Sequence, residues 1–286
     1  MNDDFAVFIL THGRANNVIT YRSLQRAGYT GKVYIIIDNE DRQAPEYYKI
    51  YGDKVIMFDK AAIAETFDEG DNFGDRRAVI YARNACFEIA RKLGITYFME
   101  LDDDYTDIRY KIDSNSEYVN MNWIKSLDNI VDALLRYYIS IPAKSIAMSQ
   151  GGDFIGGKDT SEIHSLNRKR KCMNTFICSV DRPFQFVGRI NEDVNTYTWY
   201  QGLGNLFMTF WPLAIQQQQT QSTAGGMTDI YIDSGTYIKS FYSVMYLPSS
   251  VSVQVMRSHH DERLHHRIDW DTTVPCIVSE ELRKAS

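Results

Sequence analysis

The 286-residue chain has few cysteines, and their arrangement forms neither a covalent nor a metal-bound framework. The four, Cys86, Cys172, Cys178 and Cys276, are scattered, with no CxxC pair and no zinc-type spacing. Free thiols in a reducing compartment are the simplest account of them. The first residues also lack the basic and apolar regions of a secretory signal peptide, so we expect a cytoplasmic protein.

Long apolar runs and positive net charge are also missing. No run approaches the roughly 18 apolar residues that span a bilayer, so we expect no membrane association. Formal net charge is -6 and the pI is near 5.5. A protein that wraps duplex DNA non-specifically is usually basic, because neutralising phosphates provides most of that affinity. The one basic run, at Arg168, Lys169, Arg170 and Lys171, is either a solvated loop or a local nucleic-acid contact.

Three ligand-binding motifs are absent as well. The chain has no GxxxxGK[ST], no GxGxxG after its first apolar segment, and no EF-hand spacing around residues 102–104. These absences argue against a P-loop NTPase, a dinucleotide-binding enzyme and an EF-hand calcium site. The hydrophobic share of 44% and the aromatic share of 13% are nevertheless typical of a folded globular protein.

The first third of the chain alternates buried-type strands with helical patterns. Strands are predicted at "FAVFIL", "KVYIIIDNED", "KVIMFDK" and "ITYFMELDDD", with helices at "NNVITYRSLQRAG", 44–51 and "RRAVIYARNACFEIARKLG". This order predicts an α/β fold with a central, mostly parallel sheet flanked by helices. Ligands of such sheets bind beyond the carboxyl ends of the strands. Residues 11–14, Asp38 and residues 102–104 follow strand ends, so we expect them to share one crevice.

The remainder of the chain has a mixed pattern. It predicts a helix at "MNWIKSLDNIVDALLRYYISI" and strands at "SIAMSQGGDFIGG", "NTFICSV", "PFQFVGRI", "YIKSFYSVMYL" and "SVSVQVM". The glycine pair Gly151-Gly152 suits a hairpin turn or a close approach of backbone to a ligand. The low-complexity stretch from Gln216 to Gly226 predicts a mobile loop, either a linker or an active-site lid. With no internal repeat, we expect one domain, with halves at 1–110 and 111–286.

The three consecutive aspartates at residues 102–104 need an explanation, because like charges resist burial together. Residues i and i+2 share a face in an extended segment, so Asp102 and Asp104 should converge while Asp103 points elsewhere. Aspartates are common in turns. The alternative is a DxD site, where Mg²⁺ or Mn²⁺ bridges two carboxylates and a diphosphate. The buried strand before them and Asp38 at an earlier strand end favour the DxD site.

Four segments, "ILTHGR", "IIIDNED", "ARNACFEIA" and "YFMELDDD", resemble the nucleotide-sugar-binding half of GT-A-fold glycosyltransferases. The resemblance implies a Rossmann-like GT-A fold and a set of donor-binding residues: Thr11, Gly13, Arg14, Asp38, Arg83, Asn84, Asp102, Asp103, Gly151 and Gly152. It also implies that Asp102 and Asp104 bind Mn²⁺ or Mg²⁺. A nucleotidyltransferase would also use paired carboxylates, but the chain lacks the glycine-rich turn that would grip its phosphates.

The segments "GGDFIGG" and "RINEDVNTY", with the aromatic, histidine-rich C-terminal part, resemble the TET/JBP-associated glycosyltransferases, a largely phage-encoded group. This resemblance implies transfer of a sugar, from a donor expected to be UDP-linked, to 5-hydroxymethylcytosine or 5-hydroxymethyluracil in phage DNA. The site of action would be the host cytoplasm, and residues 168–171 would contact DNA. Alternatives are a protein or polysaccharide acceptor, or a protein that binds nucleotide sugars without catalysis.

Two further sites follow from this resemblance. An inverting transferase needs a carboxylate near the attacking hydroxyl, and Asp193 of "NED" is the predicted base, with Glu192 as the second choice. The alternative for "NEDV" is a helix N-terminus. GT-A enzymes often add a C-terminal histidine to the metal shell, which here would be His259. An all-histidine zinc site or plain surface histidines are the alternatives.

Overall fold

The computed structural model describes residues 3–71, 74–115, 117–119, 124–154, 157–159, 167–217, 238–257 and 262–284. Its strands are β1 (Phe5–Leu10), β2 (Lys32–Asp38), β3 (Val55–Phe58), β4 (Tyr97–Asp102), β5 (Tyr105–Tyr110), β6 (Ala143–Gln150), β7 (Phe176–Ser179), β8 (Leu206–Gln217), β9 (Val251–Arg257) and β10 (Glu262–Ile268). Its helices are α1 (Ile19–Arg26), α2 (Ala44–Tyr51), α3 (Lys60–Ala64), α4 (Ile80–Lys92), α5 (Leu127–Ser140), α6 (Glu192–Gly202), α7 (238–246), α8 (Trp270–Thr273) and α9 (Glu280–Lys284).

Within these residues, eight strands form one sheet in the order β3-β2-β1-β4-β7-β6-β8-β5. The neighbours β3, β2, β1 and β4 are parallel, as are β6 and β8, whereas β7 and β5 run antiparallel to their neighbours. Six of the eight strands therefore point the same way. The remaining strands, β9 and β10, form an antiparallel hairpin. The predicted α/β fold with a mostly parallel sheet is confirmed.

Helices cover both faces of this sheet, which is why β1 is apolar at every position. Phe5, Val7 and Ile9 face one core, which also receives side chains of α1, α2 and α5. Ala6 and Phe8 alternate with them and face a second core, to which α4 and α6 contribute. A strand with helices on both faces buries every side chain, so its sequence is a continuous apolar run.

Two segments predicted as strands have other structures. Residues 183–190 are irregular: the Asn84 amide bonds to both the N–H (2.8 Å) and the carbonyl (3.1 Å) of Phe186, in place of a strand partner. The piece "YIKSFYSVMYL" contains α7, where Ile238, Tyr242 and Tyr246 recur every four residues and pack around Ile190. Residues 238–246 are helical, so the strand prediction was wrong.

The glutamine-rich stretch begins inside regular structure. Gln216 and Gln217 end β8, where Gln217 pairs with Tyr105 and Gln216 with Asp107 of β5. The start of the predicted loop is therefore wrong, while residues 218–226, and with them the predicted lid, lie outside the described residues. Among the described helices, none is both long and apolar enough to cross a membrane.

Candidate functional site

A cavity opens where β1, β2 and β4 end, on neighbouring strands of the sheet. Its volume is about 380 Å³. Its lining combines both signs of charge with an apolar wall: Leu10, Thr11, His12, Arg14, Asp38, Phe58, Lys60, Arg77, Ala78, Val79, Ala82, Asp102, Asp103 and Asp104. We call it the strand-end cavity. It lies where the sequence predicts a crevice, at the carboxyl ends of parallel strands.

Asp38 holds one side of this cavity as an ionised carboxylate. His12 Nδ1 lies 2.7 Å and Lys60 Nζ 3.4 Å from its Oδ2. Burial favours the neutral acid, but the hydrogen bond from His12 and the charge of Lys60 outweigh it and lower the pKa of Asp38. The same hydrogen bond, against burial, raises the pKa of His12. The result is a buried anion flanked by the His12 imidazole and the Lys60 ammonium at the end of β2.

The carboxylate of Asp103 is hydrogen-bonded to the turn after β1. Its carboxylate accepts hydrogen bonds from Thr11 Oγ1 (2.6 Å) and Arg14 Nη1 (2.8 Å). Tyr47 Oη accepts a hydrogen bond from the Arg14 N–H at 2.9 Å and lies 2.8 Å from Thr11 Oγ1. Gly13, with φ of +69°, turns its N–H onto Asp41. Both oxygens of Asp103 therefore fix the loop rather than face the centre of the cavity.

Asp102 points to the other face, toward α4. The alternation of β4 puts Glu100 and Asp102 on the side of Arg83, a fully buried arginine. Arg83 donates to Asp102 Oδ1 and to Glu192 Oε1, both at 3.0 Å. Burial raises the pKa of Glu100 to about 8, although Arg83 opposes the shift. Burial thus favours the neutral form of Glu100, although Arg83 Nη1 lies 3.5 Å from its Oε2.

Asp104 completes the acidic edge of the cavity. Burial, followed by the charges of Asp102 and Asp103, raises its pKa to about 7. The side chain of Asp102 keeps 31% of its surface exposed. Asp102 and Asp104 both line the cavity, and their negative charges are only partly balanced by nearby cations. The described residues hold no group of three or more metal-ligating side chains. A cation here would take two carboxylates from the protein and its other ligands from elsewhere.

The "NED" acids begin α6 instead of lying on an extended segment. Asn191 precedes the helix with φ of +55°, and Glu192 and Asp193 occupy its first turn. Burial raises the pKa of both acids, and the charge of Asp193 raises that of Glu192 further. Arg83, Lys239 and Lys171 act in the opposite direction on Asp193. The helix N-terminus also favours negative charge, so the position suits a carboxylate.

Residues 5–226 match the profile of a family described as TET-Associated Glycosyltransferase. The chain belongs to this family. It is therefore a glycosyltransferase that uses a nucleotide-sugar donor, and its sheet has the GT-A arrangement expected from the sequence. No curated protein matches the chain.

Two solved structures of glucosyl-3-phosphoglycerate synthase from Mycobacterium tuberculosis are similar to this glycosyltransferase at 8% identity. The structure with Mg²⁺ and UDP has a TM-score of 0.45, covering 92% of this chain and 87% of its own. The structure with Mn²⁺, UDP and phosphoglyceric acid has a TM-score of 0.46, covering 93% and 90%. A likeness this distant says nothing about the ligands of the present chain.

Several predicted site residues of the glycosyltransferase lie away from the strand-end cavity. Both amide atoms of Asn84 are bonded to Phe186. Gly151 and Gly152 are exposed in a 3₁₀ turn after β6 and do not line the cavity. His259 lies outside the described residues. The donor-binding roles predicted for Asn84 and the glycine pair therefore have no support from a cavity contact.

The basic run is not a freely solvated loop. Residues 167–170 form a 3₁₀ turn, whose carbonyl at Arg170 accepts a hydrogen bond from Gln201 at 3.1 Å. Burial lowers the pKa of Arg170, and Lys169 is partly buried. Lys171 Nζ lies 2.7 Å from Asp153 Oδ1. Of Arg168 the structure describes the backbone only. The run therefore offers fewer exposed charges than its sequence suggests.

Sequence reasoning missed three contributors to the site: His12, Lys60 and Glu100. His12 lies inside the turn predicted at residues 11–14, so the sequence indicated where it is. Its hydrogen bond with Asp38 could not be predicted from the sequence. Lys60 and Glu100 are charged residues within or beside apolar strands. A charged side chain in a buried strand requires a partner of opposite charge. Glu100 in "YFMELD" could therefore have predicted a buried cation, which in the structure is Arg83.

Replacing Arg83 with methionine should destabilise the protein by about 3–5 kcal/mol, because it leaves buried carboxylates without their cation. Urea unfolding followed by circular dichroism measures the change. The matched control is Arg91→Met on the exposed side of the same helix, which should alter stability by no more than about 0.5 kcal/mol. An Arg83→Met protein as stable as that control would contradict the role given to this ion-pair cluster.

Proposed function

We propose that this glycosyltransferase moves a sugar from a UDP-linked donor, with Mn²⁺ or Mg²⁺, to the hydroxymethyl group of 5-hydroxymethylcytosine or 5-hydroxymethyluracil in DNA. The observation that carries the proposal is the link made by Arg83. It bonds Asp102, at the strand-end cavity, and Glu192, beside Asp193 at the start of α6, each at 3.0 Å. The predicted metal-binding and proton-accepting acids are therefore neighbours.

The strand-end cavity suits a nucleoside diphosphate in size and charge. Its volume of about 380 Å³ lies within the range of small-ligand sites. Asp38, ionised between His12 and Lys60, is placed to accept hydrogen bonds from the nucleoside. Arg14, Lys60 and Arg77 line the same cavity and would balance the phosphates. In this assignment Asp103 is a positioning residue, which holds Arg14 and the turn after β1.

The acids at the cavity edge fit a hard divalent cation. Asp102 and Asp104 supply carboxylate oxygens, the ligands that Mg²⁺ and Mn²⁺ take, and Mg²⁺ usually binds few of them together with substrate phosphates. Burial is the main cause of the raised pKa of Asp104, and the charges of Asp102 and Asp103 raise it further; a bound cation would relieve this repulsion. When bound, the cation would neutralise the charge that develops on the departing diphosphate.

Asp193 is the proposed general base. Its carboxylate would take the proton of the acceptor hydroxyl as that oxygen bonds to the anomeric carbon and the sugar–phosphate bond breaks. Three cations, Arg83, Lys239 and Lys171, favour its ionised form. Glu192 is hydrogen-bonded to Arg83, and burial together with the charges of Asp193 and Asp102 disfavours its anion. Glu192 is thus assigned to positioning.

The DNA acceptor rests on the resemblance to the phage enzymes that modify hydroxymethylated pyrimidines, not on the charge of the chain. With a net charge of -6, contact with DNA must be confined to a limited patch, and binding should weaken steeply with salt. A protein or polysaccharide acceptor is the competing assignment.

Mass spectrometry of DNA after incubation tests the acceptor. Purified protein, Mn²⁺ and each of several nucleotide sugars are offered to DNA containing hydroxymethylcytosine, hydroxymethyluracil or neither. We expect the mass of one hydroxymethylated DNA to increase by one sugar per modified base, with no change in the unmodified DNA. Unchanged DNA mass with every donor, from protein that binds UDP, would exclude the DNA acceptor.

Metal binding should depend on pH through Asp104, whose pKa of about 7 lies above its unfolded value. Its contribution to stability without metal is fully present below its unfolded pKa and is lost as the pH rises through about 7. A cation requires the ionised carboxylate, so Mn²⁺ with UDP should raise Tm more at about pH 8 than at about pH 6. Thermal scans of wild type and Asp104→Asn measure this. Equal Tm increments at both pH values in wild type would contradict the assignment.

A further inference from the structure

A second, larger cavity lies beside the β9–β10 hairpin. Its volume is about 1050 Å³. Its lining includes hairpin residues and residues of the α/β body, among them Lys171, Tyr197, Gln254, His265, Arg267 and Trp270. We call it the hairpin cleft. It shares no lining residue with the strand-end cavity and is too large for a single sugar or base alone.

Cationic and polar side chains share one face of the hairpin. Ser252 and Gln254 alternate along β9, and the register places Arg267 opposite Ser252 and His265 opposite Gln254. All four line the cleft, and Arg267 is exposed. On the body of the protein, Lys171 lines the cleft wall with its Nζ 2.7 Å from Asp153 Oδ1, and the acids Asp269 and Asp271 also line the cleft. Arg267 is therefore the exposed cation among the lining residues of the cleft.

An aromatic pair forms the second feature of the cleft. The rings of Tyr197 and Trp270 are stacked, with centroids 5.9 Å apart and an angle of 6° between their planes. Tyr197 is fully buried, whereas Trp270 is partly exposed, so the indole is the ring that a ligand can reach. A flat aromatic ring held rigidly by a second ring beneath it is a good surface for stacking a base.

The cleft also approaches the proposed catalytic acids. Tyr197 follows Asp193 by four residues on α6, so the two side chains lie on the same face of the helix, one turn apart. Glu192, next to Asp193, connects through Arg83 to Asp102 in the strand-end cavity. The Arg83 hydrogen bonds and the helix spacing thus connect the acid pair to one residue of each cavity, as expected for a base that serves a donor in one and an acceptor in the other.

We propose that the hairpin cleft binds the single-stranded DNA segment that carries the acceptor base, with Trp270 stacking on a base and Arg267 contacting a phosphate. This rests on the proposed function, because it assigns the acceptor subsite of that reaction. A stacking ring beside an exposed arginine is a general pattern of single-strand binding. An exposed base is also what a modifying enzyme requires of DNA.

Fluorescence anisotropy tests the proposal with a labelled single-stranded oligonucleotide of about 12 nucleotides containing one hydroxymethylcytosine. Trp270→Ala should weaken binding about tenfold, the loss expected from removing one base–aromatic stack, while Trp270→Phe should retain most of it. Arg267→Glu, at an exposed position that should not affect folding, should weaken binding and reduce its salt dependence. Trp199→Ala, at another partly exposed tryptophan outside the cleft, should bind as wild type does.

Binding of UDP with Mn²⁺, measured by calorimetry in the same variants, should not change. Wild-type affinity for the oligonucleotide in both Trp270→Ala and Arg267→Glu would overturn the cleft assignment, even if wild-type protein glycosylates DNA. If these variants lose oligonucleotide binding but no donor yields transfer to DNA, the cleft is a binding site for single-stranded DNA and the proposed glycosylation of DNA is wrong. Comparable weakening by Trp199→Ala would also overturn the assignment, since that side chain is outside the cleft.

Discussion

Asp104→Asn should lower kcat/KM for sugar transfer by about 1000-fold, a loss of about 4 kcal/mol of transition-state stabilisation. The substitution keeps the size and polarity of the side chain but removes the charge that a divalent cation needs. Because burial and two adjacent aspartates already raise the pKa of Asp104, its anion is costly unless a cation is present. The folded structure should survive, since Asn removes repulsion rather than a stabilising contact.

The control for this substitution is Asp53→Asn, at an exposed position on the short 3₁₀ turn before β3. It removes the same charge far from the acidic edge and should change kcat/KM less than about twofold. Initial rates at several Mn²⁺ concentrations, measured by release of UDP, compare the two. Transfer by Asp104→Asn at the rate of Asp53→Asn would show that the metal assignment is wrong.

Asp193→Asn should lower kcat by about 100- to 10,000-fold, the contribution of a positioned general base. The amide cannot accept the proton of the acceptor hydroxyl, whereas the shape of the first turn of α6 is retained. UDP binding should be unaffected, because Asp193 does not line the strand-end cavity. The expected signature is a fall in kcat with little change in KM for the donor.

Glu192→Gln is the matched comparison one residue away. It weakens the hydrogen bond from Arg83 Nε, at 3.0 Å, but leaves the base in place, so its effect on kcat should be smaller. Single-turnover rates separate the chemical step from product release in both variants. If Glu192→Gln lost more activity than Asp193→Asn, the roles of the two acids would have to be exchanged. If both kept full rate, an inverting mechanism with a base here would be excluded.

The arrangement of the first four strands could be predicted from sequence because helices cover the sheet on both faces. That burial gives β1 and β2 continuous apolar runs, and polar residues at the ends of these runs then mark the ligand-binding edge. The opposed directions of Asp102 and Asp103 also follow from strand alternation alone. The structure places Asp102 toward Arg83 and Asp103 toward Thr11 and Arg14.

Other parts depend on tertiary partners that local patterns do not specify. The strand β5, "YTDIRY", carries charged residues such as Asp107 and Arg109, which pair with each other at 2.9 Å while its backbone pairs with β8. Residues 183–190 are apolar enough for a strand, but Asn84 binds their backbone instead. Ile238, Tyr242 and Tyr246 are spaced by four residues and would share one face of a helix or of a strand, so their spacing alone does not identify α7.

The "NED" acids illustrate the same limit at the site. Both alternatives for this segment, a helix start and a catalytic acid, are compatible with the structure, since Glu192 and Asp193 open α6 and also stand beside Arg83. A helix N-terminus is a physical reason to place carboxylates there, because its free N–H groups favour negative charge. A carboxylate in the first turn of a helix can therefore stabilise that helix and also act in catalysis.

Calorimetric titration of UDP into wild-type protein, Asp104→Asn and Asp53→Asn, each with and without Mn²⁺, tests the central claim most directly. The claim is that the strand-end cavity binds a nucleoside diphosphate through a cation held by Asp102 and Asp104. We expect Mn²⁺ to strengthen UDP binding to wild type and Asp53→Asn by at least about tenfold, and to have little effect on Asp104→Asn. Equal UDP affinity with and without Mn²⁺ in wild type, or an undiminished Mn²⁺ effect in Asp104→Asn, would contradict it.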